Sequence, residues 1–248
     1  PLNGNDDMGK MDVSMQDPVL VAASVAGETR WGFHQFPAMS RMPDDSILLM
    51  FADAKDASET HGLPAPSYVS RDEGASWSVL DDELTPVRPH YSISKLFDGE
   101  YLVVPAGEYM DVANAGIDLP EPAATGNTYG TVYTYRWSDL PSVAQEYFRQ
   151  LPAKRWRPGG AGWEDTIVEY DTNGLLAWRR NNSTVLPRTF FERELLRHRG
   201  ELLYADYRAR YSRDDGSVAG KGFSTLMVST DNGASFQRRS TIAMDPAD

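Results

Sequence analysis

Ser70-Arg71-Asp72-Glu73-Gly74-Ala75-Ser76-Trp77 and Ser229-Thr230-Asp231-Asn232-Gly233-Ala234-Ser235-Phe236 repeat one message within a single chain. Both octets read Ser-x-Asp-x-Gly-x-Ser-aromatic. Each follows a short apolar-alternating run, Pro66 to Val69 in the first case and Phe223 to Val228 in the second. The chemistry is that of a tight turn between antiparallel strands. Aspartate accepts bonds from the turn amides, glycine takes a positive φ, and the ring returns toward the core. Two copies with every fixed position kept form an internal repeat, and repeats set the architecture.

Outward from the octets, period-two apolar runs alternate with Asp/Gly turns, as expected for short antiparallel strands. Phe36 to Met42, a Pro43-Asp44-Asp45 turn and Ile47 to Ala54 predict one hairpin, whose third strand enters the first octet. Tyr91 to Leu96, Phe97-Asp98-Gly99-Glu100 and Tyr101 to Ala106 predict a second, with Gly130 to Trp137 as its third strand. Thr166 to Tyr170, Asp171-Thr172-Asn173-Gly174 and Leu175 to Arg179 predict a third. Phe190 to Leu196, His198-Arg199-Gly200 and Glu201 to Tyr207 predict a fourth, leading to the second octet. Ser138 to Leu151 reads as a short helix on a loop.

Composition bounds the partners. At 248 residues the chain can bury a substantial core and is most simply one folded domain. No apolar run approaches a membrane span, and no signal-peptide pattern opens the sequence. The absence of cysteine excludes disulfides, Cys-ligated zinc and thiol nucleophiles. A net charge of −12 disfavours nucleic acid, yet a local Arg/Lys cluster can still hold an anionic sugar.

The two octets resemble the Asp-box (BNR repeat) of the sialidase superfamily. That resemblance implies an all-β fold, a sialidase-like β-propeller, here three to four blades of a six-bladed ring. Residues 1–29 would be a polar N-terminal arm and first strand, and residues 30–248 the blades. The box is a structural stitch, so Ser70, Asp72, Gly74 and Trp77, with Ser229, Asp231, Gly233 and Phe236, carry scaffold rather than chemistry. Open outer blades predict completion by a further segment or a partner chain.

In such a blade the start of strand one, the end of strand two and the start of strand three share the end opposite the box. That rule selects His34 and Gln35, Lys55 through His61, His90 and Tyr91, and Glu108, Tyr109 and Asp111. It also selects Glu164 and Asp165, Arg179 and Arg180, Glu192, Arg208 and Arg210. The run from Phe191 to Arg208 resembles the sialidase hairpin in which a Glu opens one strand and an Arg closes the next. By that resemblance Glu192 would polarise a nucleophile and Arg208 would hold the substrate carboxylate, to which a planar guanidinium pairs bidentately. Gln35 stands where the family has an Arg, Lys55 stands for another, and Glu59 or His61 falls in the loop that supplies the acid/base.

The function so implied is a glycoside hydrolase acting on terminal acidic sugars, in a secreted or periplasmic location and with no cofactor or metal. Two alternatives stay open. One is a β-eliminating lyase on uronate glycans, using His34, Lys55, His61, His90, Tyr91 and Arg208. The other is a non-catalytic propeller that binds glycan or protein. Tyr211 to Gly216 lacks a full calcium loop and reads as a polar turn.

Overall fold

A computed structural model describes residue 15 and residues 17–24, 26–29, 34–52, 66–80, 93–105, 109–127, 130–189, 191, 194–207, 209–222 and 224–244. In chain order the strands begin with β1 (Gln35–Arg41), β2 (Ile47–Ala52), β3 (Ser67–Ser70), β4 (Ser78–Leu80), β5 (Ser94–Lys95) and β6 (Tyr101–Val103). β7 (Met110–Asp111), β8 (Ala124–Asn127) and β9 (Thr131–Arg136) follow, then a 3-10 turn (Trp137–Asp139) and helix α1 (Ser142–Arg149). After the helix come β10 (Gln150–Trp156), β11 (Trp163–Tyr170), β12 (Leu175–Arg180) and β13 (Val185–Leu186). The last strands are β14 (Leu196–His198), β15 (Glu201–Asp206), β16 (Arg210–Tyr211), β17 (Ser224–Ser229) and β18 (Ser235–Ala243). The protein is all-β, with one α-helix among the described residues.

Three four-stranded antiparallel meanders organise the chain. The first is β1-β2-β3-β4, the second β5-β6-β10-β11 and the third β14-β15-β17-β18. Both octets link strands three and four of their meander, β3 to β4 and β17 to β18. Inside each octet the predicted bonds form. Asp72 accepts from the Ser76 amide (2.8 Å) and hydroxyl (2.5 Å), and the Gly74 amide donates to Ser70 Oγ (2.8 Å). Asp231 accepts from the Ser235 amide (2.9 Å) and hydroxyl (2.6 Å), and the Gly233 amide donates to Ser229 Oγ (2.8 Å).

A fourth sheet, β8-β9-β12-β16, is assembled differently. β8 and β9 lie in the connection between strands two and three of the second meander. β12 lies in the connection from the second meander to the third, and β16 between strands two and three of the third. In an antiparallel meander all these connections leave from the end opposite the turn that joins strands three and four. The inserted sheet is therefore woven from loops that leave each meander opposite its own strand three-to-four turn, although the exit from β11 lies against the second octet, where the Asp171 amide donates to the Phe236 carbonyl (2.8 Å).

The structure corrects two hairpins. Thr131–Arg136 pairs with β8 and β12, whereas the third strand of the second meander is Gln150–Trp156, directly after the helix. The turn at 171–174 does not close a hairpin, because β11 pairs with β10 and β18 while β12 pairs with β9 and β16. The second and third meanders also join edge to edge through two parallel pairs, Glu169 with Ser235 and Tyr170 with Phe236. That makes one eight-stranded sheet rather than two separate units.

Burial follows the alternation. Leu48, Met50 and Val69 from one face of the first meander pack with Tyr101 and Val103 of the second. A larger core gathers Leu102, Tyr135, Leu151, Tyr170, Leu202, Tyr211, Met227 and Phe236, so the inserted sheet shares its interior with the second and third meanders. Among the described residues no helix is long and apolar enough to cross a membrane, which says nothing of β-barrels.

Candidate functional site

The chain enters β1 through an unusual backbone. His34 (φ 55°) and Phe36 (φ 51°) both adopt left-handed conformations on either side of Gln35, and the β1–β2 register slips between Gln35 and Ala38. Such angles at non-glycine residues cost roughly 1–3 kcal/mol each and gather at binding and catalytic sites. The His34 ring stands edge-on to Phe51, with centroids 4.7 Å apart, and Phe51 stacks on Tyr68 at 5.5 Å. Ser24 Oγ lies 3.3 Å from His34 Nδ1. The Gln35 amide nitrogen is buried with no hydrogen-bond partner among the described residues, an arrangement that a ligand acceptor would satisfy. The sequence singled out His34 and Gln35; nothing in it signalled the strain around them.

A second cluster joins the inserted sheet to the meanders. Asp206, at the end of β15, has no exposed surface. Its carboxylate accepts from Tyr170 Oη, from Thr189 Oγ1 (2.6 Å) and from the Ala209 amide (3.2 Å). Tyr211 Oη lies 3.3 Å from Tyr170 Oη. Donors that replace its water offset the cost of burying a carboxyl group this deep. Burial, and then the Asp206 charge, push the Tyr170 phenol well above its ordinary range, so Tyr170 stays a protonated donor. The Asp206–Ala209 bond ties the end of β15 to the residue before β16. Sequence reasoning missed this cluster, because its members come from β11, β15, β16 and the segment after β13.

Other selected residues fall variously. Arg210 is buried; its guanidinium donates to the Gly220 carbonyl and lies 5.2 Å from the Trp178 ring. Arg179 donates to Tyr135 Oη (2.9 Å) and covers the Tyr133 ring at 4.9 Å. Arg179 and Arg180 end β12 of the inserted sheet rather than a strand of a third hairpin. Glu164 and Asp165 stand near the start of β11, the fourth strand of its meander, and therefore at the octet end. They pair there with Arg157 (2.5 Å) and Lys154 (2.8 Å). Asp111 accepts the Ala113 amide in a turn (3.0 Å). Tyr211 to Gly216 is a turn in which Asp215 accepts the Ser217 amide (2.9 Å). Lys55, Glu59, His61, His90, Tyr91, Glu108, Glu192 and Arg208 lie outside the described residues. Among the described residues no group of three His, Asp or Glu side chains is placed to hold a metal ion.

No family model and no curated protein matches this chain. A solved structure of a protein of unknown function from Dyadobacter fermentans is similar to it at 14% identity and a TM-score of 0.47, over 87% of this chain. The match spans 56% of that protein's length.

Proposed function

We propose that this chain contributes three blades to a sialidase-like β-propeller that binds and cleaves terminal acidic sugars of glycans. The observation that carries the reading is the placement of the insertions. Each connection that carries a strand of the inserted sheet leaves its own meander at the end opposite that meander's strand three-to-four turn, and loops gathered at the strand ends of a rigid scaffold are where binding and catalysis concentrate. The strained entry to β1 and the segment after Asp206 lie at the corresponding ends of their own meanders.

In this reading Arg208 and Lys55 hold the sugar carboxylate, Glu192 supports the nucleophile, and Glu59 or His61 transfers the proton. Gln35, His34 and Arg210 contribute to substrate binding, Arg210 through the shape it gives its loop. These roles rest on sequence position for Arg208, Lys55, Glu192, Glu59 and His61. A further blade would cover a face that the described residues leave open. Met39 (62% exposed), Leu49, Tyr68 and Val79 (68% exposed) form one cross-strand row across the first meander, turned away from its core.

A fluorogenic sialoside tests the proposal. Turnover by the full chain, abolished in Arg208→Ala, is the expected result. Unchanged turnover in that variant would remove the carboxylate clamp. One observation favours a second reading, binding without cleavage: the buried amide of Gln35 offers hydrogen bonds but no charge. Retained sialic acid binding with no turnover in the parent chain would select it.

A further inference from the structure

The corrected pairing of β12 exposes a site that the strand-end rule did not reach. Where β9 ends, β12 begins and β16 ends, the inserted sheet opens a cleft of about 120 Å³ lined by Arg136, Trp137, Ser138, Thr172, Gly174 and Ser212, with Leu175 and Leu176. The Ser212 amide donates to the Gly174 carbonyl (2.7 Å), which fixes one wall against the other. Arg136 is exposed and reaches the Gly216 carbonyl with one nitrogen (3.3 Å), and no described carboxylate pairs with it. Among the described residues the buried Trp137 indole nitrogen has no hydrogen-bond partner.

The acidic side chains in the flanking segments each have a partner other than Arg136. Asp139 accepts from Ser138 Oγ (3.0 Å). Asp171 accepts from the Asn173 and Arg238 amides (2.8 and 3.2 Å), and Asp214 faces the Arg238 guanidinium at 3.9 Å. The cleft thus combines a guanidinium lacking a counter-ion, an indole wall and the hydroxyls of Thr172 and Ser212, in a protein whose net charge is −12. Guanidinium and hydroxyl donors beside an indole and two leucines match a ligand with oxygen acceptors and an apolar ring face.

We infer that this cleft binds a small hydroxylated carboxylate of the uronic acid type. Arg136 takes the carboxylate through its fork, and the hydroxyls of Thr172 and Ser212 meet those of the ring, which lies along Trp137. The assignment is independent of the hydrolytic reading, because it concerns a different cleft and needs no turnover.

Isothermal titration of the full chain with D-glucuronate tests it, with glucose and inorganic sulfate as comparison probes. The expected result is saturable glucuronate binding, no glucose binding and weaker sulfate binding. Arg136→Ala should weaken glucuronate by roughly tenfold, the loss of one charge-assisted contact. Ser212→Ala should weaken it less, and both variants should melt where the parent does. Absence of saturable glucuronate binding, or an Arg136→Ala variant that binds as the parent does, overturns the assignment. So does sulfate binding as tightly as glucuronate. Binding lost in Arg208→Ala but kept in Arg136→Ala transfers the ligand to the other site and likewise overturns it.

Discussion

The two octets share a sequence and an internal bond pattern but not a setting. The first is a surface turn. Its Asp72, Glu73 and Ser76 are exposed, Trp77 is half-buried, and its indole nitrogen donates to Gly74 within the same turn (3.1 Å). Its reach beyond the turn is an exposed pair between Glu73 and Arg41 of β1 (2.9 Å). The second octet is clamped into the second meander. Asn232 donates to Asp98 (2.6 Å) and accepts from the Phe97 amide (3.2 Å), and its carbonyl receives Arg155. Arg155 in turn pairs with Glu100 (2.7 Å), both largely buried. Phe236 is fully buried against Phe191, with centroids 4.8 Å apart. The fixed positions thus fold the turn, while the variable positions decide whether it also joins two sheets.

Substitutions at matched positions should separate these roles. The largest difference is expected at the ring. Phe236→Ala should cost about 3–5 kcal/mol in chemical denaturation, because it empties a packed site. Trp77→Ala should cost about 1–2 kcal/mol, because its ring is only half removed from water. Equal losses would erase the contrast.

Glycine gives the next step. Gly74 and Gly233 share positive φ (91° and 84°), so alanine at either meets backbone strain of roughly 1–2 kcal/mol. A Cβ at Gly233 would also come within 2.9 Å of Leu102 Cδ2 in the core, whereas at Gly74 the nearest atom is 3.9 Å away. Gly233→Ala should therefore destabilise by about 3 kcal/mol in total, with the excess supplied by overpacking. Thermal melts of the two variants measure the gap.

The smallest difference concerns acid. Bonds from the Ser76 hydroxyl and amide, then from Ser70, lower the Asp72 carboxyl from 3.8 to about 2. At Asp231, burial raises the carboxyl, and the bonds from Ser235 and Ser229 outweigh it, leaving it below its ordinary value. A depressed folded pKa gives stability that is present above the unfolded value and lost as pH falls through the folded one. Carbon-detected titration should find Asp72 ionised until about pH 2, with the first turn loosening as pH falls from 3.8 toward that value. An Asp72 midpoint near 3.8 would show that the turn does not hold its carboxylate.

Legibility in the sequence tracked how local each interaction is. The octets, the β1–β2–β3 run and the β14–β15 hairpin were readable because turn residues and alternation sit within a few positions of each other. Gln150–Trp156 was hidden, since Pro152 breaks its strand signal and a helix precedes it without a gap. Asp171 to Gly174 carries good turn chemistry, yet turn chemistry bends a chain without naming its next partner, and here the chain passes into another sheet. Of the candidate site, Gln35 and His34 could be named from position. The Asp206 cluster, with members spread from Tyr170 to Tyr211, is a property of assembly alone.

The inserted sheet has a consequence for the order of folding. Its four strands span residues 124 to 211 and are contributed by three separate connections, each anchored in a meander. Closing those long loops before their anchors exist would spend chain entropy with few contacts in return. The sheet should therefore assemble late, and a nick in any one of the three connections should arrest its closure while leaving the local hairpins formed.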